Sequence, residues 1–299
     1  MVIIGFLQNN IMKKFNNIMR ISVVTNSLLS IFKIIMGYIG KSSALIADGI
    51  HSFSDLLTDF FAMIGNYIAG KPADKKHPFG HGRLEYITSC GIGLVVLIIG
   101  FSLIKKSMSS SICIPSLLVI VVSFITILFK YFLSFYLIKM GKIYNNNILI
   151  SSGRESRADV YSSIVVLISS ILVQFSNKIN IFSYSDVVAT IIVGIFIIRT
   201  GFLIIKENLS VLIGEQESNS DILGELKNFI LDDKNICSLD DLVMIKYGAY
   251  FKIIIEVSME SDLSLEQAHN NAHMLQNNIM KQYKWAKYIT IHINPKKGD

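Results

Sequence analysis

The sequence predicts an α-helical membrane protein: six transmembrane helices followed by a small cytoplasmic α+β domain. Three observations carry this reading. Apolar residues make up 52 % of the 299 and charged residues only 17 %, whereas a soluble domain carries about a quarter charged residues. Six segments reach the length of about 20 residues that a helix needs to cross a bilayer. Beyond about residue 208 the composition turns polar. The mean hydropathy of +0.51 agrees. This balance excludes a disordered chain, a nucleic-acid-binding domain and an ordinary soluble enzyme. The net charge of +6 reads as basic cytoplasmic loops under the positive-inside rule. Cys90, Cys113 and Cys237 lie far apart with no CxxC, so neither a disulfide framework nor a thiolate zinc site is indicated.

Residues 1–19 are mixed and basic (Lys13, Lys14) and read as a cytoplasmic tail. The apolar run Ile3–Leu7 is too short for a secretory signal. The spans are expected at about 20–39, 43–69, 84–105, 114–138, 148–175 and 182–206. The third and fourth are the cleanest apolar runs, while the second and fifth carry several ionisable residues. The tail, the loop Lys71–Arg83 and the turn at Lys139 and Lys142 are basic. With six alternating helices they fall on one side, which places both termini in the cytoplasm. Lys105 and Lys106 sit on the other side and weaken the count. Residues 20–208 thus form the membrane domain and 209–299 the cytoplasmic one. There the patterning gives α-β-β-α-β: a helix after Glu215, two strands within Val243–Met259 around a turn at Tyr247–Tyr250, a helix over Leu265–Tyr283 and a strand at Tyr288–Ile293.

The chemistry concentrates in the ionisable residues of the spans. His51 and Asp55 are four apart and share a helix face. Asp48 and Asp59 extend that stripe one turn each way, as supports or pathway residues. Ionisable groups in hydrocarbon cost a few kcal/mol each, so such a stripe faces a bundle interior and serves a function. Glu155 and Asp159 repeat the spacing in the fifth span. Two such pairs supply four ligands, the number of a tetrahedral site, and imidazole with carboxylate suits zinc, iron or manganese. For Glu155, pairing with Arg154 or Arg157 at a helix end is the plainer alternative. In the loop, Asp74, His77 and His81 offer a second, more exposed metal group, set among Pro78, Gly80 and Gly82, which favour a turn. His269, His273 and His292 are dispersed in the last domain, with surface or ligand roles both open.

These residues together resemble the cation diffusion facilitator family of cation efflux transporters. The resemblance runs from Arg20 onward. It rests on Asn26…Leu29…Lys33…Gly37, on Ser43-Ala44-Leu45-Ile46-Ala47-Asp48-Gly49-Ile50-His51-Ser52…Asp55, on His77-Pro78-Phe79-Gly80-His81-Gly82-Arg83…Glu85, on Ser156-Arg157-Ala158-Asp159…Ser162-Ser163, and on the α+β tail. It implies a homodimer of six-helix protomers with ferredoxin-like cytoplasmic domains, performing divalent metal/proton antiport by alternating access; the six spans with a cytoplasmic tail domain point to the plasma (inner) membrane. It places the transport site on His51, Asp55, Glu155 and Asp159, the loop site on Asp74, His77 and His81, and a cytoplasmic-domain site on Asp240, Glu256, His269 and His292, with Asn294 beside them. The metal is substrate and in part structural, and no organic cofactor or nucleic-acid partner is implied.

Two departures from the family pattern matter. Glu155 stands where zinc carriers of the family have His, and a harder oxygen set shifts preference toward manganese or iron(II). The cytoplasmic-domain positions have lost histidines at Asp240 and Glu256 and an acid at Asn294, so that group either holds metal weakly or the domain dimerises by packing. The reading is efflux of Mn, Fe(II) or Zn against protons, since ligands must be deprotonated to bind metal. The alternatives are a non-transporting metal-binding subunit of a paralogous transporter and a membrane metalloenzyme. Against the enzyme stand the missing HExxH and the absence of any nucleophile motif.

Overall fold

The computed structural model describes the backbone of residues 2–69, 71, 73–109, 114–144 and 147–296, and side chains over 17–57, 60, 65, 71, 73–109, 114–144 and 149–296. Six long helices come first: α1 (Val2–Ile39), α2 (Ser43–Ala69), α3 (Leu84–Ser109), α4 (Leu118–Ile143), α5 (Asn147–Gln174) and, after a 3₁₀ turn at Asn180–Tyr184, α6 (Ser185–Ile213). The shorter elements α7 (Ser220–Leu231), β1 (Ser238–Tyr247), β2 (Tyr250–Met259), α8 (Leu265–Gln282) and β3 (Ala286–Pro295) follow. The basic N-terminal stretch expected as a tail is helical and continuous with α1, because the first helix-breaking proline is Pro72.

Among the described residues, five helices are long and apolar enough to cross a membrane: Asn17–Ile39, Leu84–Ser109, Leu118–Ile143, Leu149–Gln174 and Asn180–Ile213. The remaining long helix, α2, has 27 residues, which at the rise of an α-helix is about 40 Å. The chain divides into two compact units, Met1–Phe60 with Ile92–Leu203, and Phe61–Gly91 with Ile204–Asp299.

The first unit is turned inside out relative to a soluble bundle. Large apolar side chains such as Ile98, Phe132, Phe135 and Phe202 are exposed, while Ser162, Ser163, Lys33 and Asp48 are buried. That inversion suits helices solvated by lipid, with polar groups turned inward. Small residues bring the helices close. A Cβ on Gly49 of α2 would lie 2.7 Å from Ile34 Cγ1 of α1, and one on Gly153 of α5 would lie 2.6 Å from Ile138 Cγ1 of α4. The Ser134 hydroxyl crosses that second contact to donate to the Gly153 carbonyl at 2.7 Å. Asp186 of α6 caps the start of α2, accepting from Ser42 Oγ (2.6 Å) and the Ser43 N–H (2.8 Å). It thereby satisfies donors that a helix N-terminus leaves open.

In the second unit, β1 and β2 form an antiparallel hairpin and β3 joins β2 in parallel, in the order β1-β2-β3. Gly248, at φ +68° in the two-residue turn, supplies the left-handed conformation that tight hairpins require. The parallel pairing of β2 and β3 needs a crossover, and α8 supplies it. A reciprocal capping box starts α8: Ser264 Oγ accepts from the Gln267 N–H (3.2 Å) and Gln267 Oε1 from the Ser264 N–H (2.9 Å). Ile253, Ile255 and Val257 alternate along β2 and bury against Leu226 and Ile230 of α7 and Leu275 and Ile279 of α8. The sequence pattern places the first strand at Val243, but it begins at Ser238, because a register irregularity at Leu239–Asp241 breaks the alternation that marks a strand.

Candidate metal centre

Helix α2 presents His51 and Asp55 from adjacent turns of one face, and α5 presents Asp159 toward them. One ligand atom from each of His51, Asp55 and Asp159 lies within 4.8 Å of the others. The three, with Glu155, line a cavity of about 350 Å³. Asp159 is buried, His51 and Asp55 are half-buried, and Glu155 stands on the exposed side of the cavity, as does Arg199 of α6. The Nδ1 of His51 is buried with no hydrogen-bond partner among the described residues. A buried polar atom without a partner is costly in a membrane domain, and an imidazole grouped with two carboxylates is a donor set that suits a divalent cation.

Asp48 lies outside this group. It is fully buried and pairs with Lys33 of α1 at 2.8 Å. It also accepts from Ser162 Oγ (2.6 Å) and Ser163 Oγ (2.8 Å) of α5, while Lys33 Nζ donates to Ser163 Oγ at 2.8 Å. The stripe along α2 therefore divides: its first acid ties α1, α2 and α5 together, and His51 and Asp55 face the cavity. Asp59 is on α2, and its side chain lies outside the described ones.

Sequence reasoning missed one residue here. Lys130 of α4 is buried and ion-paired with Asp159. The signal was a single lysine inside one of the most apolar segments, a position that marks a paired and functional charge; its partner is not legible from spacing.

The second group lies in the loop before α3. Asp74 Oδ1 is 3.2 Å from His77 Nδ1 and Asp74 Oδ2 is 3.4 Å from His81 Nε2. Asp74 and His77 are exposed and His81 is largely covered. The N–H groups of His77 (2.6 Å) and Lys76 (2.9 Å) donate to Asp74 Oδ1. The His77 amide above all holds the carboxyl below its ordinary value, which keeps it ionised as a ligand must be. A clamp of aromatic residues in the same unit fixes the loop. Tyr250 Oη donates to the Phe79 carbonyl (2.8 Å) and accepts from the Gly82 N–H (3.2 Å). Phe79 meets Tyr288 edge-on at 5.5 Å, and the Arg83 guanidinium lies 4.3 Å from the Tyr247 ring centre. A Cβ on Gly82 would fall 2.1 Å from the Tyr247 carbonyl oxygen, so only glycine fits there.

In the last domain the four expected residues do not gather into one group within the chain. Glu256 faces away from the helices, opposite Asp241 on β1 and His292 on β3. His269 is on α8, across the sheet, and meets His273 edge-on at 4.5 Å. Asp240 accepts from Ser258 Oγ (2.7 Å) and Asn294 Nδ2 (3.1 Å). Among the described residues, the groups of three or more metal-ligating side chains are the cavity group and the loop group.

Comparison with known proteins agrees with this architecture. Residues 19–213 match the cation efflux transmembrane domain, and residues 219–296 match the cytoplasmic domain of cation efflux proteins. The manganese efflux system protein MneP of Bacillus subtilis is 27 % identical over 280 residues, 92 % of this chain and 94 % of that protein. An uncharacterized transporter of Methanocaldococcus jannaschii is 30 % identical over 260 residues, 84 % and 88 % of the two chains. The magnetosome protein MamB of Paramagnetospirillum magneticum is 24 % identical over 271 residues, 89 % and 90 %. The chain belongs to the cation diffusion facilitator family, whose members are multi-pass membrane transporters of divalent metal ions and not enzymes.

Proposed function

We propose that the protein exports manganese, with iron(II) as the nearest competitor, from the cytoplasm in exchange for protons. The observation that carries this is the convergence of His51, Asp55 and Asp159, with Glu155 on the wall of the same cavity. One imidazole and three carboxylates form a hard, oxygen-rich donor set that favours manganese and iron(II) over zinc relative to a site with two imidazoles. Two relatives bear names of manganese efflux proteins, which supports the same choice. Protons compete with metal for every one of these ligands, so metal entry releases protons and protonation releases metal. Alternating exposure of the cavity to the two sides then couples the two fluxes.

In this reading α2 is the sixth span, residues 1–19 are a cytoplasmic tail, 20–208 the transport domain and 209–299 a ferredoxin-like cytoplasmic domain that joins two protomers in the plasma membrane. The loop group Asp74, His77 and His81 holds a second metal at the cytoplasmic side. The cytoplasmic domains dimerise by packing, because Asp240, Glu256, His269 and His292 are dispersed. The test is Asp159→Asn in proteoliposomes. Metal flux and manganese binding at the cavity should both be lost in a protein that still elutes as a folded dimer, and full flux would overturn the assignment.

A further inference from the structure

A second, much smaller void adjoins the candidate ligands. It measures about 20 Å³ and is bordered by Asn26 of α1, Ser52 and Asp55 of α2, Lys130 of α4, and Glu155 and Asp159 of α5. Among the described residues, five buried side-chain polar atoms have no hydrogen-bond partner. Two of them, Asn26 Oδ1 and Ser52 Oγ, belong to residues that border this void. They do not bond to each other, since neither has a partner. An unpaired buried oxygen is costly, the more so among helices that have no bulk water to turn to. A void of this size holds about one water molecule, which needs two to four polar partners. The side chains around it supply that many.

We propose that this void is a site for one bound water molecule, and that Asn26 and Ser52 hold the water there as positioning residues of the transport site. The donors and acceptors balance. A water molecule offers two hydrogens and two lone pairs. Asn26 Oδ1 is an acceptor only and takes one hydrogen, while the Ser52 hydroxyl donates its own to the water oxygen. The second water hydrogen goes to one of the carboxylates that border the void. The second lone pair faces the Lys130 ammonium, which also pairs with Asp159. The water thus steadies a ligand carboxylate from the side away from the metal. Groups that orient metal ligands in this way are worth about 10- to 100-fold in affinity. Helix α1, which carries none of the candidate ligands, reaches the site through Asn26. The inference rests on the assignment of these carboxylates as transport ligands.

The test is a double-mutant cycle on the full-length protein, with manganese(II) binding read by calorimetry and manganese flux in proteoliposomes. A His77→Ala/His81→Ala background silences the loop group. Asn26→Leu removes the acceptor and Ser52→Ala the donor. Each should weaken manganese binding about tenfold and raise KM with it, while kcat stays near the parent value, as expected when binding alone is lost. The double variant should bind no worse than the weaker single one, because both changes remove the same water. Ser52→Thr, which keeps the hydroxyl, should bind like the parent. Unchanged binding in either single variant, or losses that multiply in the double, would overturn the proposal. If a variant does not fold, the parent decides. An experimental structure that shows bound waters should place one within hydrogen-bond distance of both Asn26 Oδ1 and Ser52 Oγ, and none there would overturn the proposal. Asp159→Asn separates the two claims. If it retains manganese at the cavity, the transport-ligand assignment falls; if it loses manganese while Asn26→Leu and Ser52→Ala bind like the parent, only the water site falls.

Discussion

Tyr250→Phe removes one oxygen from the clamp that fixes the loop carrying Asp74, His77 and His81. The hydroxyl serves two backbone groups, donating to the Phe79 carbonyl at 2.8 Å and accepting from the Gly82 N–H at 3.2 Å. The ring stays, with its tilted contact to Tyr288 at 5.8 Å and Lys287 above it at 4.5 Å. The perturbation is therefore confined to two hydrogen bonds. Leaving a buried donor unmade costs about 1–3 kcal/mol and losing an ordinary bond about 1 kcal/mol. A loosening of roughly 2 kcal/mol corresponds to about a 30-fold rise in the open population of the loop. Hydrogen exchange over residues 77–86 reads this directly, as exchange from the open state tracks its population. The Gly82 amide should exchange about 30-fold faster in the variant, with α8 unaffected. The metal affinity of the Asp74 group should fall with it, since His77 and His81 hang from the same loop. An unchanged Gly82 exchange rate would refute the clamp as the element that orders the loop.

Three further outcomes follow from the same geometry. Asp48→Asn strands the Lys33 ammonium in the bundle and should destabilise the membrane domain by about 3–5 kcal/mol, visible as a lower melting temperature in detergent; Lys33→Met/Asp48→Asn together should recover most of it. Glu217 is pushed up by burial, but the Asn219 amide, Lys246 and the Ser218 amide outweigh this and hold its carboxyl below the ordinary 4.5. Its contribution to stability is therefore present above about pH 4.5 and is lost as pH falls through the depressed value, so the protection of amides at the start of α7, relative to their intrinsic exchange rate, should fall in acid and Glu217→Gln should flatten that dependence. Ile255→Ala empties a fully buried position in the cytoplasmic core and should cost that domain about 2–5 kcal/mol, read from chemical denaturation followed at Trp285.

Much of this was legible in the sequence, and what was not has physical causes. Helices α3 and α4 announce themselves as unbroken apolar runs. The i, i+4 spacing of His51 with Asp55 and of Glu155 with Asp159 puts each pair on one face without knowledge of the fold. That spacing does not say which face meets which helix, and so it groups Asp48 with His51 although Asp48 pairs with Lys33. The pairing of Lys130 is with a residue 29 positions away on another helix, a relation that only packing creates. The onset of β1 was hidden by the irregularity at Leu239–Asp241, which shifts the alternation by one residue. Glu256 and His269 looked like members of one ligand set by position in the motif, but strand alternation sends Glu256 to the face away from α8.

Metal-driven proton flux in proteoliposomes, comparing manganese, iron(II) and zinc in the parent and in Glu155→His, bears most directly on the central claim. The parent should prefer manganese or iron(II), and the variant, with a second imidazole in the cavity, should shift toward zinc. Absence of proton movement with any metal in either protein, while both remain folded dimers, would contradict the account.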